Sequence, residues 1–309
     1  LDLERNRAKY EKALYAETAF GKGCNWSSRR QHRVMDQDWS ITQITKQLKD
    51  TAWSQLGTSG GGNHFVEFGE IEFNAEIPGI EVGKKYVAIL SHSGSRGPGA
   101  KVCAHYNSIA QKKLPQRFSW ARFLAWLDLD TEAGQEYWAA MNLMGDFAAA
   151  NHDVIHRQLC QNIGEKPVVQ IENHHNFAWK EIHNGVEMVV HRKGATPAGE
   201  GVLGVIPGSM ADPAYVVRGL GHVDSLMSAS HGAGRKMARS RAKEKFDWDY
   251  WRPEIKRRGV TLLGSGIDEV PGAYKDIGEV MARQSDLVET VARFDPRIVR
   301  MADDGFAED

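Results

Sequence analysis

The chain has 309 residues, 41% of them hydrophobic and 26% charged, with 39 basic and 40 acidic side chains and a net charge of −1. That length can bury a sizeable core, and the balance excludes nucleic-acid binding by global charge, so any such contact has to come from local patches. Three distant cysteines (Cys24, Cys103 and Cys160) without a CxxC pair exclude a disulfide framework or a Cys-rich zinc site and fit a reducing, cytoplasmic setting. No apolar run approaches the ~20 residues that cross a bilayer, and no signal-peptide pattern is present. The chain opens at LDLERN, without Met, in what reads as mid-helix; the expectation is that an N-terminal part precedes it.

In chain order, residues Leu1–Ala19 read as a helix ended by Gly21–Gly23, and Trp39–Leu56 as a second. Gly57–Gly62 is a flexible turn, and HFVEF a short strand. KYVAIL (Lys85–Leu90) is a buried strand that runs into a polar loop, SHSGSRGPG. Val102–Lys113 and Glu132–Ile163 read as helices around an aromatic-rich, irregular stretch, Leu114–Leu129. After Gly164 the pattern turns to β: PVVQIE, VEMVVHRKGA, GVLGVIPGSM and AYVVRGL. A helix is predicted from His231 to about Lys245, with short helices over Glu269–Val280 and Ser285–Arg293. Strands and helices mix without a βαβ rhythm. The expected fold is mixed α/β (α+β), one compact domain over residues 1–309 with mixed sheets and surrounding helices.

Twelve histidines are present, many in glycine-rich polar contexts where sites tend to lie. GGGNHFVEF carries Asn63, His64 and Glu67; on a plain strand His64 and Glu67 face opposite ways, so a bend is needed to bring them together. HSGSRG offers His92, Ser93, Ser95 and Arg96 as a phosphate cradle or, equally, a tight turn with a surface arginine. ENHHNF holds Glu172, His174, His175 and Asn176; adjacent histidines diverge, so one at most is a ligand, imidazole nitrogens suit Mn, Zn or Fe and carboxylate or amide oxygens favour Mn or Mg, while a satisfied core or edge histidine pair is the plain alternative. VVHRKGATPA delivers His191, Arg192 and Lys193 to a glycine turn, a phosphate site or a charged edge strand. SHGAGRKMARSR sets His231 in a glycine-rich turn followed by Arg235, Lys236, Arg239, Arg241, Lys243 and Lys245. A ring nitrogen there could form a bond to phosphorus while the other nitrogen is fixed by a hydrogen bond. No HExxH, GxSxG or Walker A pattern competes.

Taken together and in order, GGGNHFVE, HSGSRG, ENHHNF, HRKGA, IPGSM, SHGAGR and AYKDI resemble the RtcB-type RNA ligases from about Leu1 to Val299. The resemblance implies an enzyme that joins an RNA 3′-phosphate or 2′,3′-cyclic phosphate to a 5′-hydroxyl through a GMP-histidine intermediate, using GTP and two Mn²⁺ ions. It implies that His64, Glu67, His92 and His175, with Asn63 beside them, are the manganese-site residues, and that His231 takes GMP. Asn63, Asn176, Lys193, Ser209, Arg235 and Tyr274 match positions near the guanylate or the substrate phosphate. RNA would lie against the basic faces Arg235–Lys245 and Arg252–Arg258, in tRNA splicing or RNA repair, and a helper protein for guanylylation is a further partner the resemblance leaves open. Three departures stand out. The family's D-x-G-C-G metal motif is missing, and Cys24 in GKGCNW does not replace it. The chain ends RIVRMADDGFAED where an apolar strand plus Lys-Gly is usual, and Ala214 stands where a serine is usual. Two other classes share these residues: an inactive RNA-end-binding protein, and a metal-dependent cyclic phosphodiesterase that opens the RNA end without joining it and does not need His231.

Overall fold

A computed structural model describes residues 2–303. In chain order its elements are α1 (Arg7–Glu17), α2 (Gln43–Gln55), β1 (Phe65–Phe73), β2 (Lys85–His92), α3 (Arg96–Lys113), α4 (Glu132–Ile163), β3 (Asn176–His183), β4 (Val186–Lys193), β5 (Ala195–Pro197), β6 (Leu203–Ile206), β7 (Ala214–Gly219), β8 (Ser228–Ser230), α5 (Arg239–Lys245), α6 (Trp248–Arg257), β9 (Thr261–Leu262), α7 (Ile277–Ala282) and β10 (Val288–Met301). The fold is mixed α/β. Among the described residues no helix is long and apolar enough to cross a membrane. The chain divides into a β-rich unit of residues 2–17, 65–91 and 159–303 and a helical unit of residues 18–64 and 92–158.

The β-rich unit is organised by one sheet in the order β2-β1-β10-β7-β6, with β9 also paired to β10. β10 runs antiparallel to both β1 and β7 and parallel to β9. It takes in residues 288–293 of the segment 285–293 expected to be helical, and 285–287 form a turn. Two bulges hid it: pairing with β7 skips Val291, and pairing with β1 skips Arg297. Each bulge shifts the alternation by one, so Val291 and Ala292, and again Ile298 and Val299, are consecutive buried residues. A run of apolar pairs three to seven apart mimics a helical stripe. Pro296 sits at the second bulge, where its missing N–H breaks no regular ladder, opposite Gly69. A Cβ on Gly69 would overlap the Asp295 carbonyl and the Phe294 ring, so glycine is required at that approach. PVVQIE forms no strand: Val169 and Ile171 pack on the sheet core formed by Ile71, Val216 and Phe294 without joining a ladder. Of the helix expected over 269–280, Ile267–Glu269 and Pro271–Ala273 are short 3-10 turns, and only Ile277–Ala282 is α-helical.

Two small sheets complete this unit. β3 and β4 form a hairpin with Asn176 opposite Lys193 at its open end, and β5 pairs with β8, Ala195 opposite Ser230.

In the helical unit, α2 begins with a reciprocal Thr42/Thr45 capping box. Trp39, Leu48, Leu56, Tyr106, Leu143 and Phe147 form its core, with the Trp39 and Phe147 rings edge to face at 5.8 Å. α4 starts and ends where the apolar periodicity placed it. On α4, burial lowers the His156 imidazole to about 4. The unfolded chain takes that proton near 6.5, the folded one only near 4. Stability from this group is therefore full above the unfolded value and falls as pH drops from about 6.5 toward 4. The ring is partly accessible, so the loss expected is about 2 kcal/mol rather than the whole shift. Urea unfolding of the protein and of His156→Gln at neutral and mildly acidic pH measures it: the variant should lose less stability on acidification than the parent.

Candidate functional site

Within the helical unit His64 lies in a loop, and His92 is the last residue of β2, where the chain enters the loop 93–95. The glycine run 57–62 lets the chain turn tightly before β1, and His64 lies in that turn, its N–H facing the Gly61 carbonyl at 3.4 Å. His64 is thus outside the strand, so alternation along HFVE does not orient it. A Cβ on Gly60 would overlap Nδ1 of His64 and meet an Arg96 guanidinium nitrogen at 2.8 Å. Glycine is needed there because the imidazole packs directly over the backbone. The His64 and His92 rings stand edge to face with centroids 5.1 Å apart. Asn63 occupies the same turn.

The two loops are tied by groups the sequence reading left out. Asn151, fully buried on α4, accepts from the Gly57 N–H and donates to the Gly94 carbonyl, both at 2.8 Å. His152, next to it, places a ring nitrogen 3.1 Å from the Ser93 carbonyl. Ser93 Oγ donates to the Thr58 carbonyl at 3.1 Å and Ser59 Oγ to the His92 carbonyl at 3.3 Å. The available signal was an amide inside an otherwise apolar helix face, AAANHDVI. Replacing Asn151 with alanine leaves two buried backbone groups without partners, and the expected loss is about 2–3 kcal/mol, read by denaturant titration. Arg96 is the correction in this region. It is buried, donates to the Gly21 carbonyl at 2.7 Å and to Thr58 Oγ1 at 3.0 Å, and so braces the loops from within instead of cradling a phosphate.

The β-rich unit brings together a second set: His175, Asn176, Lys193, Gly194 and His231. Asn176 and Lys193 are cross-strand partners, both exposed. Gly194 (φ 74°) turns the chain from β4 into β5; its N–H donates to the His175 carbonyl at 3.3 Å, and its own carbonyl faces the His231 N–H at 3.4 Å. The His175 and His231 rings stack with centroids 5.0 Å apart and planes 18° from parallel. His174 turns the other way, onto Phe177 at 5.5 Å, so the adjacent histidines do diverge. Asn173 fixes this segment: its amide nitrogen donates to Thr196 Oγ1 at 2.6 Å and its oxygen accepts from the Val205 N–H at 3.2 Å.

No helix starts at His231. Residues 231–238 are irregular and α5 begins only at Arg239. Their backbone hydrogen bonds go elsewhere: the Ala233 N–H to the Pro207 carbonyl and the Lys236 N–H to the Ala273 carbonyl, both 3.0 Å. Glycines 232 and 234 allow this path, and it removes the helix-dipole contribution that a helix start would have supplied. Burial pushes the His231 imidazole below its usual value; the Gly194 carbonyl works weakly against this, and the Lys193 charge works with it. The ring is therefore neutral at pH 7, with a lone pair on one nitrogen. Its Nδ1 is buried and finds no well-aligned hydrogen-bond partner among the described residues; the Gly194 turn lies beside it and stacking on His175 helps to hold the ring.

Arg235 and Tyr274 also meet, as an isolated antiparallel bridge with the guanidinium 5.2 Å from the ring centre. Arg235 donates to the Asp268 carbonyl at 2.8 Å and pairs with Glu269 at 3.3 Å, and the Tyr274 hydroxyl donates to Glu269. Arg239 pairs with Asp268 at 3.0 Å. A nucleotide phosphate would compete with two buried carboxylates for these cations. Ser209 donates to Asp212, which in turn takes Arg258. Arg257 and Arg258 both bond Glu254, whose carboxyl they hold at about 2. Of the two expected basic faces, the arginines at 235, 239, 257 and 258 are therefore already partnered by carboxylates. Arg192 is the second corrected cradle residue: only 2% exposed, it makes two hydrogen bonds to Glu181 and one to Ser228 Oγ.

Glu67 lies in β1, and burial alone pushes its carboxyl well above the usual range. Burial of this kind disfavours the charged form unless a cation faces it. Neutral imidazoles and a buried carboxyl are the donor chemistry a borderline divalent ion takes. Among the described residues no group of three or more His, Cys, Asp or Glu is gathered closely enough to hold a metal ion. The residues thus fit such an ion in kind, as pairs, and not as a complete ligand set.

A family model for the tRNA-splicing ligase RtcB matches residues 4–302. The chain belongs to the RtcB family. It is 37% identical over 266 residues to the RNA-splicing ligase RtcB of Escherichia coli K12, covering 82% of this chain and 62% of that protein. It is 31% identical over 295 residues to the tRNA-splicing ligase RtcB of Thermococcus kodakarensis, covering 82% of this chain and 61% of that protein. The chain thus spans a little under two thirds of the length of these RtcB relatives. All the candidate residues, from Asn63 to Tyr274, fall inside the RtcB match. Of the departures, Ala214 is buried in β7, away from the His175–His231 pair in sequence and pairing with Phe294, while the end of the acidic tail lies outside the described residues.

Proposed function

We propose that this protein is a GTP- and manganese-dependent RNA ligase that joins 3′-phosphate or 2′,3′-cyclic phosphate ends to 5′-hydroxyl ends, in RNA repair or tRNA splicing. The observation that carries it is His231: a neutral, half-buried imidazole, stacked on His175, at the open end of a hairpin bearing Asn176 and Lys193.

A 3′-phosphate monoester is a poor electrophile for an alcohol, because its leaving group would be an oxide. His231 solves this in two transfers. A ring nitrogen attacks the α-phosphorus of GTP and a P–N bond forms as pyrophosphate leaves. The GMP then passes to the RNA 3′-phosphate: a P–O bond forms and the P–N bond breaks, restoring the imidazole. The 5′-hydroxyl attacks the activated phosphorus, loses its proton and expels GMP. Burial keeps the imidazole neutral for the first attack, and stacking on His175 fixes its plane. Lys193 and Asn176 are placed to bind phosphate oxygens. Manganese would supply charge neutralisation for the phosphates, with His64, Glu67, His92 and His175 as the candidate ligands that the family resemblance names.

The test is incubation with α-labelled GTP and Mn²⁺, beside labelled ATP. Acid-labile, alkali-stable label from GTP supports the reading. Label from ATP alone would change the nucleotide, and opening of cyclic phosphate ends with no label and no joining would mean a phosphodiesterase.

A further inference from the structure

The helical unit displays a stretch that neither its core nor the histidine loops use. Residues 112–126 read KKLPQRFSWARFLAW: four cations, four aromatic rings and no carboxylate in fifteen positions. Lys112 and Lys113 lie in the last turn of α3, and Gln116–Leu124 continues as a 3-10 helix interrupted at Ala121 (φ −96°, ψ 23°). Ala121 is the buried anchor. The Phe118 and Trp126 rings pack on each other with centroids 5.5 Å apart, and the Arg117 guanidinium lies 4.8 Å from the Phe118 ring. Outside this anchor Trp120 is 79% exposed, Phe123 90% and Leu124 74%. Water-exposed aromatic surface of this extent marks a contact site.

We propose that residues 112–126 bind single-stranded RNA, with Trp120 and Phe123 stacking on bases and Lys112, Lys113, Arg117 and Arg122 on phosphates; this rests on the ligase reading for the origin of the RNA. Charge complementarity selects the occupant. Protein interfaces are depleted in lysine and pair their cations with carboxylates, whereas this stretch has none. Single-strand surfaces combine a basic track with rings on which any base can stack. The basic residues near His231 are largely paired with Asp268 and Glu269, whereas among the described residues the four cations of this stretch have no carboxylate partner.

The experiment is fluorescence anisotropy with a labelled single-stranded RNA ending in a 3′-hydroxyl, which cannot be ligated, over a range of salt. Trp120→Ala/Phe123→Ala is expected to weaken binding about 10- to 100-fold with little change in salt dependence. Arg117→Gln/Arg122→Gln is expected to make the log–log salt slope shallower by about 1.4, near 0.7 per cation. Transfer of label from GTP to the protein should be unchanged in both. Equal RNA affinity in parent and variants overturns the proposal, as does loss of self-association in the variants with RNA affinity intact, which would make this a surface between copies. Absence of RNA binding by a parent that takes label overturns it while leaving the ligase reading standing. Patch-dependent RNA binding by a parent that takes no label upholds it and removes the ligase reading.

Discussion

His231→Ala should abolish both GMP attachment and RNA joining, a loss on the order of 10⁴-fold or more, because the ring nitrogen that forms the bond to phosphorus is removed. The substitution removes a half-buried ring whose N–H to Gly194 carbonyl contact is backbone and survives, so the fold should persist. Loss of activity with an unchanged unfolding curve is the signature of a nucleophile. Asn173→Ala, which frees the segment carrying His175, should instead lower the rate of label transfer while leaving the same residue modified. The pair separates a group that reacts from one that positions. Label transfer retained in His231→Ala would place the nucleophile elsewhere.

Glu181→Ala should cost about 3–5 kcal/mol, the largest stability effect expected of a single change here. Glu181 takes two hydrogen bonds from Arg192, at 2.6 and 2.9 Å, and one from His183 at 2.8 Å. Burial works to raise its carboxyl, yet the bonds and charges of Arg192 and His183 hold it below the usual range. Without it, a guanidinium only 2% exposed is left with carbonyls and a hydroxyl, and a buried charge lacks its counterion. The sign with pH follows from the depressed value: this pair contributes fully above the unfolded carboxylate range and is lost as pH falls through the lower folded value. The hairpin that presents Asn176 and Lys193 depends on this pair, so the variant should also bind nucleotide more weakly at temperatures where it remains folded. Thermal unfolding measures the first effect and nucleotide titration the second. An unchanged melting temperature would show that the backbone acceptors at Leu226 and Met227 suffice for Arg192.

What could be read in advance follows the length of the periodic signal. α4 keeps a 3.6-residue pattern over 32 residues and was located to the residue. β10, at 14 residues, was read as a helix at its start, since the skipped Val291 and Arg297 break its alternation twice. The histidine loops announced themselves through glycines, because an imidazole packed over the chain leaves no room for a Cβ at Gly60. The arginines misled. In HSGSRG and HRKGA an arginine beside glycine suits a phosphate and also suits a buried brace, and only burial separates the two. Arg96 and Arg192 are braces. Asn151 and Asn173 were passed over for the converse reason: each is one amide whose importance lies in backbone groups far away in the chain, at Gly57 and Gly94 for the first and at Val205 for the second.

The most direct measurement of the central claim is peptide mapping by mass spectrometry, under alkaline conditions, of the protein after incubation with GTP and Mn²⁺. One GMP on the peptide containing His231, and none in the His231→Ala protein, is the predicted result. GMP on another residue, or RNA joined with no modified peptide at any time, would contradict it.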